Sequence, residues 1–306
     1  MSIISSPFPS CFRLSKTTND DHHHPPPLST NPNLTTYIYD TDAGTVSLTW
    51  SRSILGRSFH IHLPFYSSFH LHIKPFLFWN NHGSKKLSHN TLIFWNLSNA
   101  RFGSGPEPHS SFYVAVVVDN KLILLVGDIS TNDAHAKCKA QEPNNRQLLV
   151  LKREHVDVAA HQRVVYTTRT RSRGREIEIE IEIDSVSYDN NSRLLFCVDG
   201  EKVLEVKMLK WKFRGNERVE VDGVSLQISW DVCNWLFEND NNNNRNGHAV
   251  FMFKFEEDEV RGKSWSVSSC AGSFGGSSSV MEWSSVEENE LVVPLGFSLL
   301  VYASKR

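Results

Sequence analysis

The sequence predicts an all-β fold, an antiparallel β-sandwich or barrel made of two related, tandemly duplicated halves with few short helices. Three observations support this class: two-residue turns between apolar runs, a strict alternation of Ile with Glu, and an order of motifs that occurs twice. Each of these is a pattern of strands, while helical periodicity is scarce.

Short turn motifs divide the chain into strands. Asp222-Gly223 separates residues 218–221 from residues 224–230, and Asp-Gly readily adopts the positive φ values that a tight hairpin turn requires. The same arrangement recurs three times: strands 194–198 and 202–213 around Asp199-Gly200, strands 112–118 and 121–126 around Asp119-Asn120, and strands 37–39 and 46–50 around residues 40–44. A series of antiparallel hairpins follows.

Residues 177–183 alternate Ile with Glu, which predicts a strand with every Ile in the core and every Glu in water. Just before it, an arginine at every second position from 169 to 175 could form an anion site. We favour pairing of this basic strand with the acidic one across a turn near Gly174. Two short helices are expected, at residues 132–141 and 231–237.

The two halves of the chain share an order of motifs. Ile73-Lys74, an aromatic-rich run, a strand ending in Trp95 and the turn after it are echoed by Val206-Lys207, a second aromatic run, a strand ending in Trp230 and its turn. Self-similarity of this kind marks repeated supersecondary units. We therefore predict half-repeats at about residues 34–128 and 162–303, each covering the apolar face of the other.

The rest of the organisation follows from composition. Residues 1–33 are rich in Ser, Thr, Asn and Pro, which predicts a disordered tail before a single β domain over residues 34–306. Arg13 and Lys16 leave an organelle transit peptide as an alternative, which we do not favour because no amphipathic helix is evident. Flexible loops are expected at residues 239–247 and 262–290.

Charge and cysteine content narrow the function classes. Lys and Arg number 32 against 34 Asp and Glu, so no overall field would attract a polyanion, and no nucleic-acid partner is expected. Five widely spaced Cys without a C-x-x-C pair are typical of reduced thiols, which favours an intracellular location, cytoplasmic or nuclear. No apolar run approaches the roughly 18–20 residues of a membrane span, so no transmembrane segment is expected.

Several longer motifs resemble one known family. They are A-R-F-G-S-G-P-E-P at 100–108, F-Y-V-A-V-V-V-D at 112–119, L-K-W-K-F-R-G-N at 209–216 and G-F-S-L-L-V-Y-A at 296–303. With the segments around Asp222-Gly223 and at 230–237, they cover most of residues 34–303 and resemble the plant-specific domain of unknown function 868 family. The resemblance implies a plant protein and supplies no catalytic residues. The Asn-rich loop and the His-rich hairpin at 60–72 depart from the family pattern.

Two His-x-His doublets, His60 with His62 and His70 with His72, form the candidate metal site. Residues two apart on a strand point the same way, so a hairpin through residues 64–68 would place four imidazoles on one face within reach of Zn²⁺ or Cu²⁺. The alternative is the solvated face of an amphipathic strand pair. We favour the alternative because no Asp, Glu or Cys stands nearby as a further ligand.

No motif for catalysis or phosphate binding is complete. The chain has neither G-x-S-x-G nor H-E-x-x-H, and residues 103–107 lack the following helix of a phosphate loop, so we expect a rigid turn there. Glu107, Asp128 and Asp231 cannot be paired from sequence, so no catalytic residue and no cofactor is assigned. Six tryptophans are expected in the core, with the lining of a ligand pocket as the alternative: Trp50, Trp79, Trp95, Trp211, Trp230 and Trp235.

Three functions are compatible with these patterns. The first is a non-enzymatic intracellular β-sandwich module that binds a protein partner, because long loops on a rigid scaffold accompany no catalytic motif. The second is a carrier of a small apolar molecule or lipid, in which the two halves enclose an aromatic-lined cavity. The third is an uncharacterised enzyme whose reactive groups meet only in space.

Overall fold

β-Strands make up most of the part of the chain that the structure describes. A computed structural model describes residues 28–30, 32–63, 68–74, 81–140, 147–159, 163–172, 174–184, 192–237, 247–256 and 296–305. These residues form 20 strands and two short helices, which confirms the predicted all-β class.

The strands form three main sheets and one short ribbon. The nine-stranded sheet has, from edge to edge, β17 (Arg214–Val221), β18 (Val224–Asp231), β19 (His248–Phe255), β20 (Ser298–Lys305), β12 (Leu148–Val158), β2 (Pro32–Thr41), β3 (Gly44–Ser53), β4 (Gly56–His62) and β5 (Phe69–Ile73). The four-stranded sheet has β11 (Lys121–Gly127), β10 (Tyr113–Val118), β7 (Thr91–Asn96) and β6 (His82–Lys86). The five-stranded sheet has β1 (Leu28–Thr30), β13 (Arg163–Ser172), β14 (Arg175–Asp184), β15 (Arg193–Val198) and β16 (Glu201–Lys207). The ribbon pairs β8 (Arg101–Phe102) with β9 (Pro108–Ser110), while α1 (Thr131–Cys138) follows β11 and α2 (Cys233–Phe237) follows β18.

The nine-stranded sheet forms one layer of each of two sandwiches. Strands β2 to β4 face the four-stranded sheet across a first apolar core, in which Phe59 and Val116 are fully buried. Strands β12 and β18 to β20 face the five-stranded sheet across a second core, in which Phe196 and Phe251 are buried. A sandwich is therefore present twice, once in each half, and the expectation that each half covers the apolar face of the other is wrong.

Strand β12 joins the two sandwiches. It pairs antiparallel with β2 on one side and parallel with β20 on the other. Tyr37, packed on the first core, and Leu299, buried in the second, are both cross-strand partners of Lys152. Directly opposed residues point to the same side of a sheet. Both smaller sheets therefore cover the same face of the nine-stranded sheet.

The predicted two-residue turns are confirmed. The φ angles of Asp119 and Asn120 are 51° and 61°, and those of Asp222 and Gly223 are 49° and 75°. These left-handed values match the right-handed twist of the flanking strands. The β10–β11, β15–β16 and β17–β18 hairpins form around the turns that the sequence indicated.

Two strands begin within residues 1–33, the range predicted as a disordered tail. Residues 28–30 form β1, which pairs parallel with β13, and β2 already begins at Pro32. Backbone pairing along a sheet edge needs no apolar periodicity, so the composition gave no sign of it. Residues 1–27, the loop at 262–290 and all of the loop at 239–247 except Gly247 lie outside the described residues.

The tryptophan prediction holds for four residues: Trp50, Trp95, Trp230 and Trp235 are buried. It is wrong for Trp211, which is 78% exposed. The predicted strand 202–213 stops at Lys207, because Met208 has a φ of 54° and turns the chain out of the sheet. Trp79 lies outside the described residues.

The Ile–Glu strand follows the predicted alternation with one exception. Ile177, Ile179, Ile181 and Ile183 are all buried, but Glu182 is only 5% exposed. Its carboxylate lies 2.8 Å from the Nε atom of Arg163 on β13. Side chains from neighbouring strands cover it. The basic and acidic strands do pair across the turn at Gly174, and Arg169 lies opposite Glu178.

We retain the duplication of the two halves as a proposal, which the strand order supports. Strands β2 to β5 form a four-stranded meander, followed by a second meander of β6, β7, β10 and β11. In the other half, the meander β13 to β16 precedes the meander β17 to β20. The turns after β7 and β18 also agree, because Asn96 and Asp231 each accept a 3.0 Å hydrogen bond from the backbone N–H two residues later.

A glycine lies across from a tryptophan in both halves. Gly83 on β6 pairs with Trp95, and Gly215 on β17 pairs with Trp230. A Cβ atom at Gly215 would lie 2.2 Å from Cζ2 of Trp230, and one at Gly83 would lie 3.0 Å from Cζ2 of Trp95. Each glycine leaves the room that the indole ring occupies.

We predict that Gly215→Ala destabilises the protein by about 1–3 kcal/mol, the usual range for an overpacked core. Gly83→Ala should cost less, because its contact is longer. Gly105→Ala is the control, since nothing lies within 4 Å of a Cβ there. The free energy of unfolding in urea measures all three, and equal values for Gly215→Ala and Gly105→Ala would contradict the packing argument.

Candidate functional site

The four candidate metal-binding histidines share one outer face of the first sandwich. β4 pairs with β5, and His60 lies directly opposite His70. The ring centroids of His60 and His70 are 6.1 Å apart, and those of His70 and His72 are 4.2 Å apart. The rings of His60 and His62 stack at 6.5 Å. The hairpin that the metal hypothesis required is therefore present.

Electrostatics keep part of this histidine face neutral. Burial lowers the pKa of His60, and the charges of His70 and His62 lower it further. Burial and His72 lower the pKa of His70. Neutral imidazole is the form that binds metal ions. Among the described residues, however, no three His, Cys, Asp or Glu side chains are grouped to hold an ion. A metal-binding role for this face stays a prediction.

A network of buried polar side chains lies between the two cores. The Nζ atom of Lys152 is 2.7 Å from Oε1 of Glu154 and donates a 2.7 Å hydrogen bond to the carbonyl oxygen of Arg169. Tyr166 donates to Oε2 of Glu154 at 2.7 Å, and Thr168 donates to Oε1 at 2.9 Å. We call these side chains, with Tyr37 and Glu107, the junction network.

Glu107 connects the junction network to the loop between β8 and β9. The Tyr37 hydroxyl donates a 2.9 Å hydrogen bond to Oε1 of Glu107, while the Oε2 atom is buried. Burial raises the pKa of Glu107, although the charge of Lys152 opposes the shift. Burial and the Glu107 charge also raise the pKa of Tyr37. The turn predicted at residues 103–107 is thus anchored by a buried carboxyl group.

The ion pair of the junction network gives a substrate no access. Lys152 is 5% exposed and Glu154 is 2% exposed. A buried ion pair with its remaining lone pairs satisfied favours one arrangement of the strands that carry it. We interpret the network as structural, although it contains an ion pair whose two side chains are almost fully buried.

The turn between β3 and β4 holds two large aliphatic side chains in water. Ile54 is 104% exposed and Leu55 is 87% exposed. They form a two-residue loop between Ser53 and Gly56, which pair across the hairpin. The φ of Gly56 is 131°, a value that favours glycine. We call Ile54 and Leu55 the hairpin tip.

Two arginines hold the base of the hairpin tip against the β8–β9 loop. Arg57 donates a 2.8 Å hydrogen bond to the carbonyl oxygen of Gly103, and Arg52 donates to that of Ser104. The Arg57 guanidinium also lies 4.6 Å from the ring centroid of Phe102. Burial and the Arg52 charge lower the pKa of Arg57. The base of the tip is therefore electropositive and fixed in position.

A groove runs along each side of the hairpin tip. One, of about 430 Å³, is lined by Leu55, His72 and Lys74 among others. The second, of about 700 Å³, is lined by Ile54, Leu55 and Arg52 among others. The tip, both grooves and the end of the histidine face form one continuous surface.

Sequence reasoning missed both the hairpin tip and the core of the junction network. A turn normally carries Gly, Asn or Asp, so Ile54-Leu55 before Gly56 is an exception that is visible in the sequence. The alternation Val150, Lys152, Glu154 places charges on a core face, which also signals buried polar groups.

Comparison with known proteins identifies the family. Residues 30–305 match the family described as plant proteins of unknown function, DUF868. The chain belongs to this family. The match spans both sandwiches and confirms the resemblance seen in the motifs. No curated protein and no solved structure matches the chain. Within the described ranges, no helix is long and apolar enough to cross a membrane.

We predict that Glu107→Gln makes the protein more stable than wild type above about pH 4.5, and that the difference grows until the pH passes the raised pKa of Glu107 and is constant above it. The pKa of Glu107 is raised from 4.5 by folding. The folded state therefore binds this proton more tightly, and stability is lost as pH rises through the raised pKa. Gln still accepts the hydrogen bond from Tyr37.

Urea unfolding followed by tryptophan fluorescence between pH 4 and pH 8 measures this difference. Glu217→Gln is the control, because Glu217 is exposed on β17. A stability difference between wild type and Glu107→Gln that does not vary with pH would contradict the role given to burial.

Proposed function

We propose that the chain is a non-enzymatic protein-binding module whose contact surface is the hairpin tip with its two grooves. The observation that carries the proposal is the full exposure of Ile54 and Leu55 on a hairpin that is otherwise regularly paired. An intracellular location, cytoplasmic or nuclear, is part of the proposal. The described cysteines Cys138, Cys197 and Cys233 are free thiols, which supports it.

The hairpin tip exposes apolar side chains that binding of a partner would bury. Burying an Ile or Leu side chain that was fully exposed contributes about 1.5–3 kcal/mol. The tip is positioned in advance, because paired strands precede and follow it and two arginines fix its base. Less conformational entropy is then lost on binding. A rigid apolar projection of this kind fits a pocket on a partner.

Charge defines the chemistry of the partner. Arg52 and Arg57 stand at the base of the hairpin tip and Lys74 lines one groove. Among the described lining residues, these three cations outnumber the one carboxylate, that of Asp157, which lines the second groove. Complementary potentials guide docking and exclude wrong partners. The partner expected here is a protein with an apolar pocket bordered by Asp or Glu side chains.

A photo-crosslinking experiment tests the proposal. Benzoylphenylalanine is placed at Leu55 in one protein and at Leu148, which is 48% exposed, in a control protein. In extract from the source tissue, we expect position 55 to form a reproducible adduct with one protein, at the acid-bordered pocket, and position 148 to form none.

The hairpin-tip variant Ile54→Asn/Leu55→Asp gives the matched affinity measurement. With the crosslinked partner purified, we expect at least tenfold weaker binding by this variant, and less than twofold change for Leu148→Asn. Thermal unfolding should show that both variants fold. Adducts without preference between positions 55 and 148 would overturn the proposal, as would binding of the tip to anionic lipid vesicles in place of a protein.

A further inference from the structure

An apolar cavity opens between the two sheets at one end of the second sandwich. Its volume is about 270 Å³. Ile177 on β14 and Val198 on β15 line it from the five-stranded sheet. Leu226 on β18 and Phe255 on β19 line it from the nine-stranded sheet. These four side chains are 8% exposed or less, so the walls belong to the fixed core.

Three β-turns meet at the mouth of this cavity. They are the β13–β14 turn at Gly174, the β15–β16 turn at Asp199-Gly200 and the β17–β18 turn at Asp222-Gly223. Residues of all three turns have positive φ, which keeps the connections short. The half-buried Val224 follows the third turn and lines the entrance.

Arg175 ties the three turns together. Its Nη1 atom lies 2.6 Å from Asp222, and its Nη2 atom lies 2.8 Å from Asp199. Asp199 is itself held in place, because it accepts a 2.8 Å hydrogen bond from the backbone N–H of Glu178. The mouth of the cavity is therefore a defined polar rim above apolar walls.

This combination is typical of a small-molecule site. Such sites are concave and mostly apolar, with a few polar groups that orient the ligand. A cavity of about 150 Å³ in another protein's core holds benzene, so this cavity has room for a molecule of about two rings. Among the described rim residues, one arginine and two aspartates carry a net negative charge, which disfavours an anionic ligand.

We propose that this cavity binds a small, uncharged apolar molecule of about two rings, with any hydroxyl or amine group directed at the rim of Arg175, Asp199 and Asp222. The site is separate from the hairpin tip and does not depend on the protein-binding function. It lies within the second sandwich, whereas the sequence suggested a cavity enclosed by the two halves.

A matched pair of fluorescent probes tests the proposal. 1-Naphthylamine, which has two rings, is uncharged at neutral pH, and 5-amino-1-naphthalenesulfonate differs from it by one sulfonate. Titration of the full chain should show saturable binding of one equivalent of the uncharged probe and at least tenfold weaker binding of the sulfonate. Equal affinity for the two probes, or no saturable binding of the uncharged one, would overturn the proposal.

Filling the cavity locates the site. Val224→Trp places an indole in the entrance and should weaken binding of the uncharged probe at least tenfold. Val126→Trp is the control, because Val126 is a half-buried valine on the first core. The affinity of this variant for the uncharged probe should stay within twofold of wild type. Val221 also lines the cavity. If thermal unfolding shows that Val224→Trp does not fold, Val221→Trp replaces it. Unchanged probe affinity in the folded cavity variant would show that the probe binds elsewhere.

Discussion

The pairing of β12 with β2 on one side and β20 on the other is the constraint on which the rest of the structure depends. Without it, each half would be a small sandwich with an open edge, and exposed edges invite non-native pairing. The buried Lys152–Glu154 pair lies on this strand and contacts β13 of the five-stranded sheet. Because a misplaced buried charge is costly, the pair favours one register and one arrangement of the sandwiches.

A continuous back sheet separates two surfaces of different chemistry. Successive cross-strand partners mark one end of this sheet. They lead from Ser51, beside the hairpin tip, through Leu34 and His155 to Tyr302. That end of the sheet is distant from Phe255, at which the cavity of the second sandwich opens. One end thus presents an apolar projection with a basic base, and the other presents an apolar hollow with an acidic rim. The two proposed sites are therefore far apart, so occupation of one would leave the other open.

Local patterns made the strands predictable, whereas contacts between distant segments made the sites difficult to predict. Asp222-Gly223 determines a turn within two residues, so its hairpin could be derived. The His-x-His spacing determines the face of a strand, so the shared face of His60 and His70 could be derived as well. The salt bridge of Glu182 and the hydrogen bond of Glu107 to Tyr37 join segments far apart in sequence. Which turns meet around Arg175 depends on how the sheets stack, and no single-strand period contains that information.

The central claim is that the two sandwiches form one cooperative unit through β12, and native-state hydrogen exchange tests it most directly. The best probes are core amides such as those of Leu48 in the first sandwich and Ile228 in the second, whose side chains are fully buried. The account predicts the same free energy of opening for both, and an equal decrease in both when Glu154→Leu leaves Lys152 buried without its partner. Opening of one sandwich at a clearly lower free energy than the other, or a decrease confined to one of them, would contradict it.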